Sequence, residues 1–386
     1  MALKISLVQI LALFFPFSVF VSPLNFSYPA VFNFGDSNSD TGGLAAGFAF
    51  PLGLPMGQTY FHESSGRFCD GRLIIDFLMN VMGQPFLSPY LDSIGAPDFR
   101  TGCNFAAGGA TILPPTPYSM CPFPFNLQVA QFIRFKTRVL ELLAEDNKLK
   151  DYLPPEDYFK EGLYMFDMGQ NDLEGEFYFR SEDQVDQVLA FIPSLLAQVE
   201  NGFQKLYNEG ARNFWVHNTG PLGCLPRLIT TFGKNSSELD QLGCVKSLNN
   251  AAILFNSQLR DLCTKFQENF PEVNVTFVDI FSIKLDLISN YSQYGFKEPL
   301  AACCGYGGPP LNFDSRIVCG QTKILDGSTV TAKACSNTSE FINWDGTHYT
   351  EAANRHAFEQ ILKGNYSYPR MSMNEPLEIP VALPSQ

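Results

Sequence analysis

Four histidines stand in the 386-residue chain, His62, His217, His348 and His356, so the search for a general base is short. His348 closes the run Asn343-Trp344-Asp345-Gly346-Thr347-His348, just ahead of a helical stretch. Asp345, three residues upstream, can reach the imidazole Nδ1 across a tight turn and leave Nε2 free. That pattern gives a base with an orienting carboxylate; a surface-loop histidine is the competing reading. His217 ends an apolar strand and reads as a packed side chain. His356 lies on a helix and reads as structural or solvated, and His62 lies in a loop ahead of Gly66-Arg67-Phe68. A nucleophile for such a base is offered by Ser37, which ends Gly35-Asp36-Ser37 after an apolar run. A serine on a strand-to-helix turn presents its hydroxyl at the sheet edge, although a capping serine looks the same in sequence. Serine, histidine and aspartate together would perform acyl transfer. There is no G-x-S-x-G elbow, H-E-x-x-H, P-loop or G-x-G-x-x-G. No metal or cofactor is therefore expected.

The elements that must position these groups are legible as apolar runs ending in glycine-rich turns. Ala30 to Phe34 runs into Ser37, Leu163 to Met168 into Gly169-Gln170-Asn171-Asp172, and Asn213 to Val216 into Gly220-Pro221-Leu222-Gly223. Val273 to Phe281 is a further strand, and Asn104 to Thr111 a shorter one. Between them, apolar residues at helical spacing predict helices from Val185 to Leu206 with a kink at Pro193, from Asn126 through Leu142, from Glu238 to Phe270, and from near Thr350. Alternating strands and helices imply a parallel sheet covered on both faces. Reacting groups then belong on the loops beyond the carboxyl ends of the strands.

Lys4 followed by the apolar Ile5 to Val21 reads as a secretory leader, with cleavage near residue 27. Residues 28–370 read as one domain and 371–386 as a mobile tail that is not a membrane anchor. Ten cysteines, none in C-x-x-C spacing, suit several disulfides in an exported protein. Adjacent Cys303 and Cys304 are expected to bond elsewhere rather than to each other. Six N-x-S/T sequons stand at Asn25, Asn235, Asn274, Asn290, Asn337 and Asn365. A net charge of −13 disfavours nucleic acid and anionic membrane surfaces as partners.

Four blocks in order resemble the GDSL, or SGNH, family of esterases and lipases, most closely its large secreted plant branch. They are Phe34-Gly35-Asp36-Ser37-Asn38-Ser39-Asp40-Thr41-Gly42, Asn104-Phe105-Ala106-Ala107-Gly108-Gly109-Ala110, Gly169-Gln170-Asn171-Asp172 and Asp345-Gly346-Thr347-His348. Gly66-Arg67-Phe68-Cys69-Asp70-Gly71-Arg72 matches that branch too. The resemblance implies a three-layer α/β/α sandwich, flavodoxin-like, around about five parallel strands. It implies Ser37 as nucleophile, His348 as base and Asp345 as its orienter. The N–H groups of Ser37 and Gly109 and the Asn171 side-chain amide would form the oxyanion hole. Gly109 rather than Gly108 follows from counting five residues on from Asn104. The family's leucine after the serine is Asn38 here. The expected substrate is a carboxylic ester, whether of a small molecule, an acetylated polysaccharide or a lipid. The expected location is outside the cell, in the apoplast, with the vacuole as the alternative. A non-catalytic sugar- or lipid-binding glycoprotein and a cell-wall glycosidase are the alternatives; the latter needs two carboxylates about 5–9 Å apart, and none stand out.

Overall fold

The computed structural model describes residues 22–23, 27–115, 119–180 and 185–372. The expected leader lies outside them except for Ser22–Pro23 and Ser27, and so does the sequon at Asn25. Of the expected tail only Met371–Ser372 is described, paired in parallel with Ser22–Pro23.

Five parallel strands form the centre: β1 (Val31–Gly35), β2 (Gly102–Asn104), β3 (Leu163–Asp167), β4 (Asn213–His217) and β5 (Asn274–Val278). Two further strands, β6 (Glu298–Ala302) and β7 (Phe341–Asn343), pair with each other beside the sheet. The short β8 (Ser367–Tyr368) closes the far edge antiparallel to β5. The spatial order is β2-β1-β3-β4-β5-β8. The chain thus moves one way from β1 to β2 and the other way from β3 onward. The resulting crevice between the carboxyl ends of β1 and β3 is where an open α/β sheet receives ligands.

Side-chain alternation along the strands divides the core in two. Phe32 and Phe34 on β1, Tyr164 and Phe166 on β3 and Phe214 on β4 lie in register on one face. Their rings stack at 5.3 Å (Phe34–Phe166) and 5.8 Å (Phe166–Phe214). Against them pack α3 (Phe125–Glu145), α5 (Val185–Asn208) and α7 (Lys246–Asn269) through Phe132, Phe203 and Phe266. The opposite face, with Val31, Met165, Trp215 and Val278, packs on α2 (Ile74–Val81), α8 (Ile280–Ser289) and α9 (Glu351–Leu362). Three more helices complete the frame near the site: α1 (Gly43–Phe48), α4 (Gln170–Phe179) and α6 (Pro226–Phe232). Much of the chain's phenylalanine is thereby core rather than groove.

Several boundaries differ from the sequence reading. The helix expected from Glu238 begins only at Lys246, because the Asp240 carboxylate binds the Leu242 and Cys244 amides and holds a turn there. The helix expected from Val185 runs on to Asn208, with Pro193 inside it as expected. Val273 to Phe281 divides into β5 and the start of α8, where Asp279 caps the helix by accepting the Ser282 N–H. Three disulfides form, Cys224–Cys244, Cys303–Cys335 and Cys304–Cys319, so the adjacent pair does bond elsewhere. Cys69, Cys103, Cys121 and Cys263 are buried free thiols. Alkylation of the denatured protein followed by mass spectrometry should therefore label four cysteines without reductant and all ten after reduction.

Candidate active site

The turn after β1 depends on close approach to β3. A Cβ on Gly35 would lie 2.9 Å from the Asp167 carbonyl oxygen, and the Asp36 N–H donates to that same oxygen at 3.2 Å. Asp40 then fastens the turn to the loop after β2. Its buried carboxylate accepts the N–H groups of Gly42, Gly43 and Leu44 at the start of α1, and that of Gly108. Asn104 adds a second tie: its Nδ2 donates to the Ser39 carbonyl (2.7 Å) and the Thr41 hydroxyl (2.9 Å). Burial pushes the Asp40 carboxyl up, and the four amide donors work against that rise.

On this platform Ser37, His348 and Asp345 come together from distant parts of the chain. The Ser37 Oγ and His348 Nε2 lie 2.8 Å apart, and His348 Nδ1 and Asp345 Oδ2 2.7 Å apart. The loop before α9 fixes the second contact locally. Asp345 Oδ1 accepts the N–H groups of Thr347 and His348, and Gly346 donates to the Asn343 side chain. Burial would raise the Asp345 carboxyl, but the His348 imidazole and these hydrogen bonds outweigh it, and the net shift is downward. A charged Asp345 holds the ring with Nδ1 protonated and Nε2 facing the serine, the arrangement of a general base beside a hydroxyl.

The expected oxyanion donors, the N–H groups of Ser37 and Gly109 and the Asn171 amide, differ in what they already bind. The N–H of Gly108 is bound by Asp40 at 2.7 Å, whereas those of Ser37 and Gly109 have no acceptor among the described residues. Gly109 has φ +76°, a left-handed conformation that favours glycine. Asn171 opens α4 at the end of β3, and its Nδ2 donates to the Ala110 carbonyl (3.0 Å) and to Asp36 Oδ2 (3.2 Å). An oxyanion must therefore share or replace one of these, and the longer, to Asp36, is the readier. Asn38, the departure from the family leucine, gives both its N–H and its side-chain Nδ2–H to Asp36 Oδ1.

The other histidines lie apart from this arrangement. His217 is buried, with Trp215 Nε1–H donating to its Nε2 at 2.9 Å. The His356 ring centroid lies 4.3 Å from that of Tyr294 at an interplanar angle of 53°, and the His62 Nδ1 lies 3.1 Å from the Gln58 carbonyl oxygen. Two groups near His348 had no signal in the sequence: Glu174, buried on α4, and Arg227 on α6, which pair with each other. Asp40 did carry one, an aspartate just before glycines that open a helix. Among the described residues no cluster of three His, Cys, Asp or Glu side chains is placed to hold a metal ion.

The family model for GDSL-like lipase/acylhydrolase matches residues 31–361. Two GDSL esterase/lipases of Arabidopsis thaliana are 56% and 52% identical to this chain, each over 94% of it and over 95% and 97% of their own lengths. An esterase of Hevea brasiliensis is 42% identical over 90% of this chain and 88% of its own. The chain belongs to the GDSL lipase/acylhydrolase family, whose members hydrolyse carboxylic esters.

Phe68 gives a local test of how the base is held. Its ring centroid lies 5.2 Å from that of His348, and a Cβ on Gly108 would come within 2.4 Å of the Phe68 ring. Gly108→Ala should lower stability by about 1–3 kcal/mol and slow turnover, because Phe68 must move against the base. In a Phe68→Ala background the same substitution should cost little; thermal unfolding of the four proteins measures the coupling.

Proposed function

We propose that this protein is a secreted serine esterase that works through an acyl-enzyme on Ser37, with no cofactor. The observation that carries the reading is the 2.8 Å contact between Ser37 Oγ and His348 Nε2, with Asp345 on the other ring nitrogen. His348 takes the serine proton as Oγ attacks the ester carbonyl carbon, then gives it to the departing alcohol. Water enters by the same base, adds to the acyl carbon and releases the acid and free Ser37. The tetrahedral oxyanion formed in each half-reaction is met by the Ser37 and Gly109 N–H groups and the Asn171 amide. A binding protein gives no reason for a hydroxyl, an imidazole and a carboxylate to be aligned in this order.

Export is supported by the apolar leader, the three disulfides and the sequons. Among the described residues no helix is long and apolar enough to cross a membrane. The excess of negative charge favours an uncharged ester over a polyanion as substrate.

Hydrolysis of a p-nitrophenyl ester series from acetate to palmitate tests the reading. Wild type should cleave at least part of the series, and Ser37→Ala none of it. Asn171→Ala should keep its fold and lose about 10²–10³ in kcat, about 3 kcal/mol. Asp345→Ala should retain more activity than His348→Ala, since it orients the base without carrying the proton. Near wild-type turnover in Asn171→Ala would remove Asn171 from the oxyanion hole.

A further inference from the structure

Two rings beside the general base are not sealed in the core. Phe68 and Phe50 are half-buried, unlike the phenylalanines packed on the sheet. Phe68 lies between the two loops that flank Ser37. Its ring centroid is 5.2 Å from that of His348, tilted by 36°, and a Cβ on Gly108 would meet the same ring at 2.4 Å. Gly108 adjoins Gly109, so this one ring spans from the base to the loop of the proposed oxyanion donor.

Phe50 continues the wall away from the base. Its centroid is 5.8 Å from that of Phe68, at an interplanar angle of 44°. The chain reaches Phe50 through a reversal at the end of α1, where Ala49 takes the left-handed φ of +51°. A residue with a Cβ stays in that conformation only when its surroundings hold it there. The contact of Phe50 with Phe68 is such a hold.

The chemistry decides which half of an ester this wall meets. The carbonyl carbon bonds to Ser37 Oγ, and its oxygen turns toward the oxyanion donors. As the bond from that carbon to the alcohol oxygen breaks, His348 Nε2 gives the departing oxygen the proton taken from the serine. The alcohol oxygen therefore lies within hydrogen-bond reach of the imidazole, and the body of the alcohol begins beside it. The ring against the imidazole is Phe68. The acyl chain leaves the same carbon in another direction.

We propose that Phe68 and Phe50 form the alcohol-side subsite, and that the substrate is an ester of an alcohol carrying an apolar ring. Such a ring packs on Phe68 and then on Phe50, at the centroid spacing of about 4.5–7 Å that aromatic pairs favour. This rests on the acyl-enzyme reading of Ser37 and His348, and it names the half of the ester that the protein selects. Phe50 is one ring removed from the base, so it holds the alcohol alike before and during bond breaking. Its contribution belongs in KM more than in kcat.

The experiment is hydrolysis of methyl, benzyl and naphthylmethyl acetate, three esters of alcohols of similar acidity. The proteins are wild type, Phe50→Ala, Phe50→Leu and Ser37→Ala. A p-nitrophenyl series from acetate to octanoate, in which the alcohol is fixed, runs beside it. Wild-type kcat/KM should rise about tenfold or more from methyl to naphthylmethyl acetate. Phe50→Ala should remove most of that rise, mainly through KM, and keep the wild-type order of the acyl series. Phe50→Leu should fall between the two. A flat alcohol series in wild type overturns the proposal, as does a Phe50→Ala loss equal for all three acetates, the mark of a merely structural role. A reordered acyl series with the alcohol series intact would put Phe50 on the acyl side and refute it as well. If neither Phe50 variant folds, wild type decides: the alcohol series should rise and naphthylmethanol should inhibit competitively, and absence of either refutes the proposal. Failure of the underlying reading looks different, because Ser37→Ala would then hydrolyse the acetates as fast as wild type.

Discussion

One buried carboxylate, that of Asp40, ties the turn bearing Ser37 to the loop bearing Gly109. It accepts three N–H groups from the start of α1 and the Gly108 N–H from across the crevice. No single water could accept from four backbone N–H groups at once, and losing the Asp40 carboxylate would strand them in a closed interior. Engaging the Gly108 N–H also leaves that of Gly109 free, so the same bond that joins the loops selects the donor. The proposed nucleophile, the proposed Gly109 donor and the entry to α1 therefore share one electrostatic anchor.

The sheet supplies the other half of the constraint. Parallel strands in register bring Gly35, Asp167 and His217 level with one another. The phenylalanine face packed against three helices leaves that level little freedom to slide. The base comes from far along the chain, yet its geometry is local: Asp345 and His348 are three residues apart and bound to each other's loop. A rigid sheet edge and a self-contained turn thus meet where Ser37 contacts His348.

What the sequence revealed follows this division. β1, β3, β4 and the Asp345–His348 turn are legible because each is set by neighbours within a few residues, through apolar runs, glycines and short-range hydrogen bonds. The residue pattern alone left His348 balanced against a surface histidine; the order of four family blocks added the oxyanion donors. The late start of α7 depends on Asp240 folding back on Cys244. The disulfide partners join residues that no spacing relates. Phe68 against Gly108 was equally hidden, since its consequence exists only once His348 is in place.

The central claim, that Ser37 is a hydroxyl activated by His348, is tested most directly by an active-site phosphonate followed by peptide mass mapping. The account predicts one adduct per chain, on the peptide containing Ser37, formed rapidly in wild type and at a greatly reduced rate in His348→Ala. An adduct on another residue, or equal labelling in wild type and His348→Ala, would contradict it.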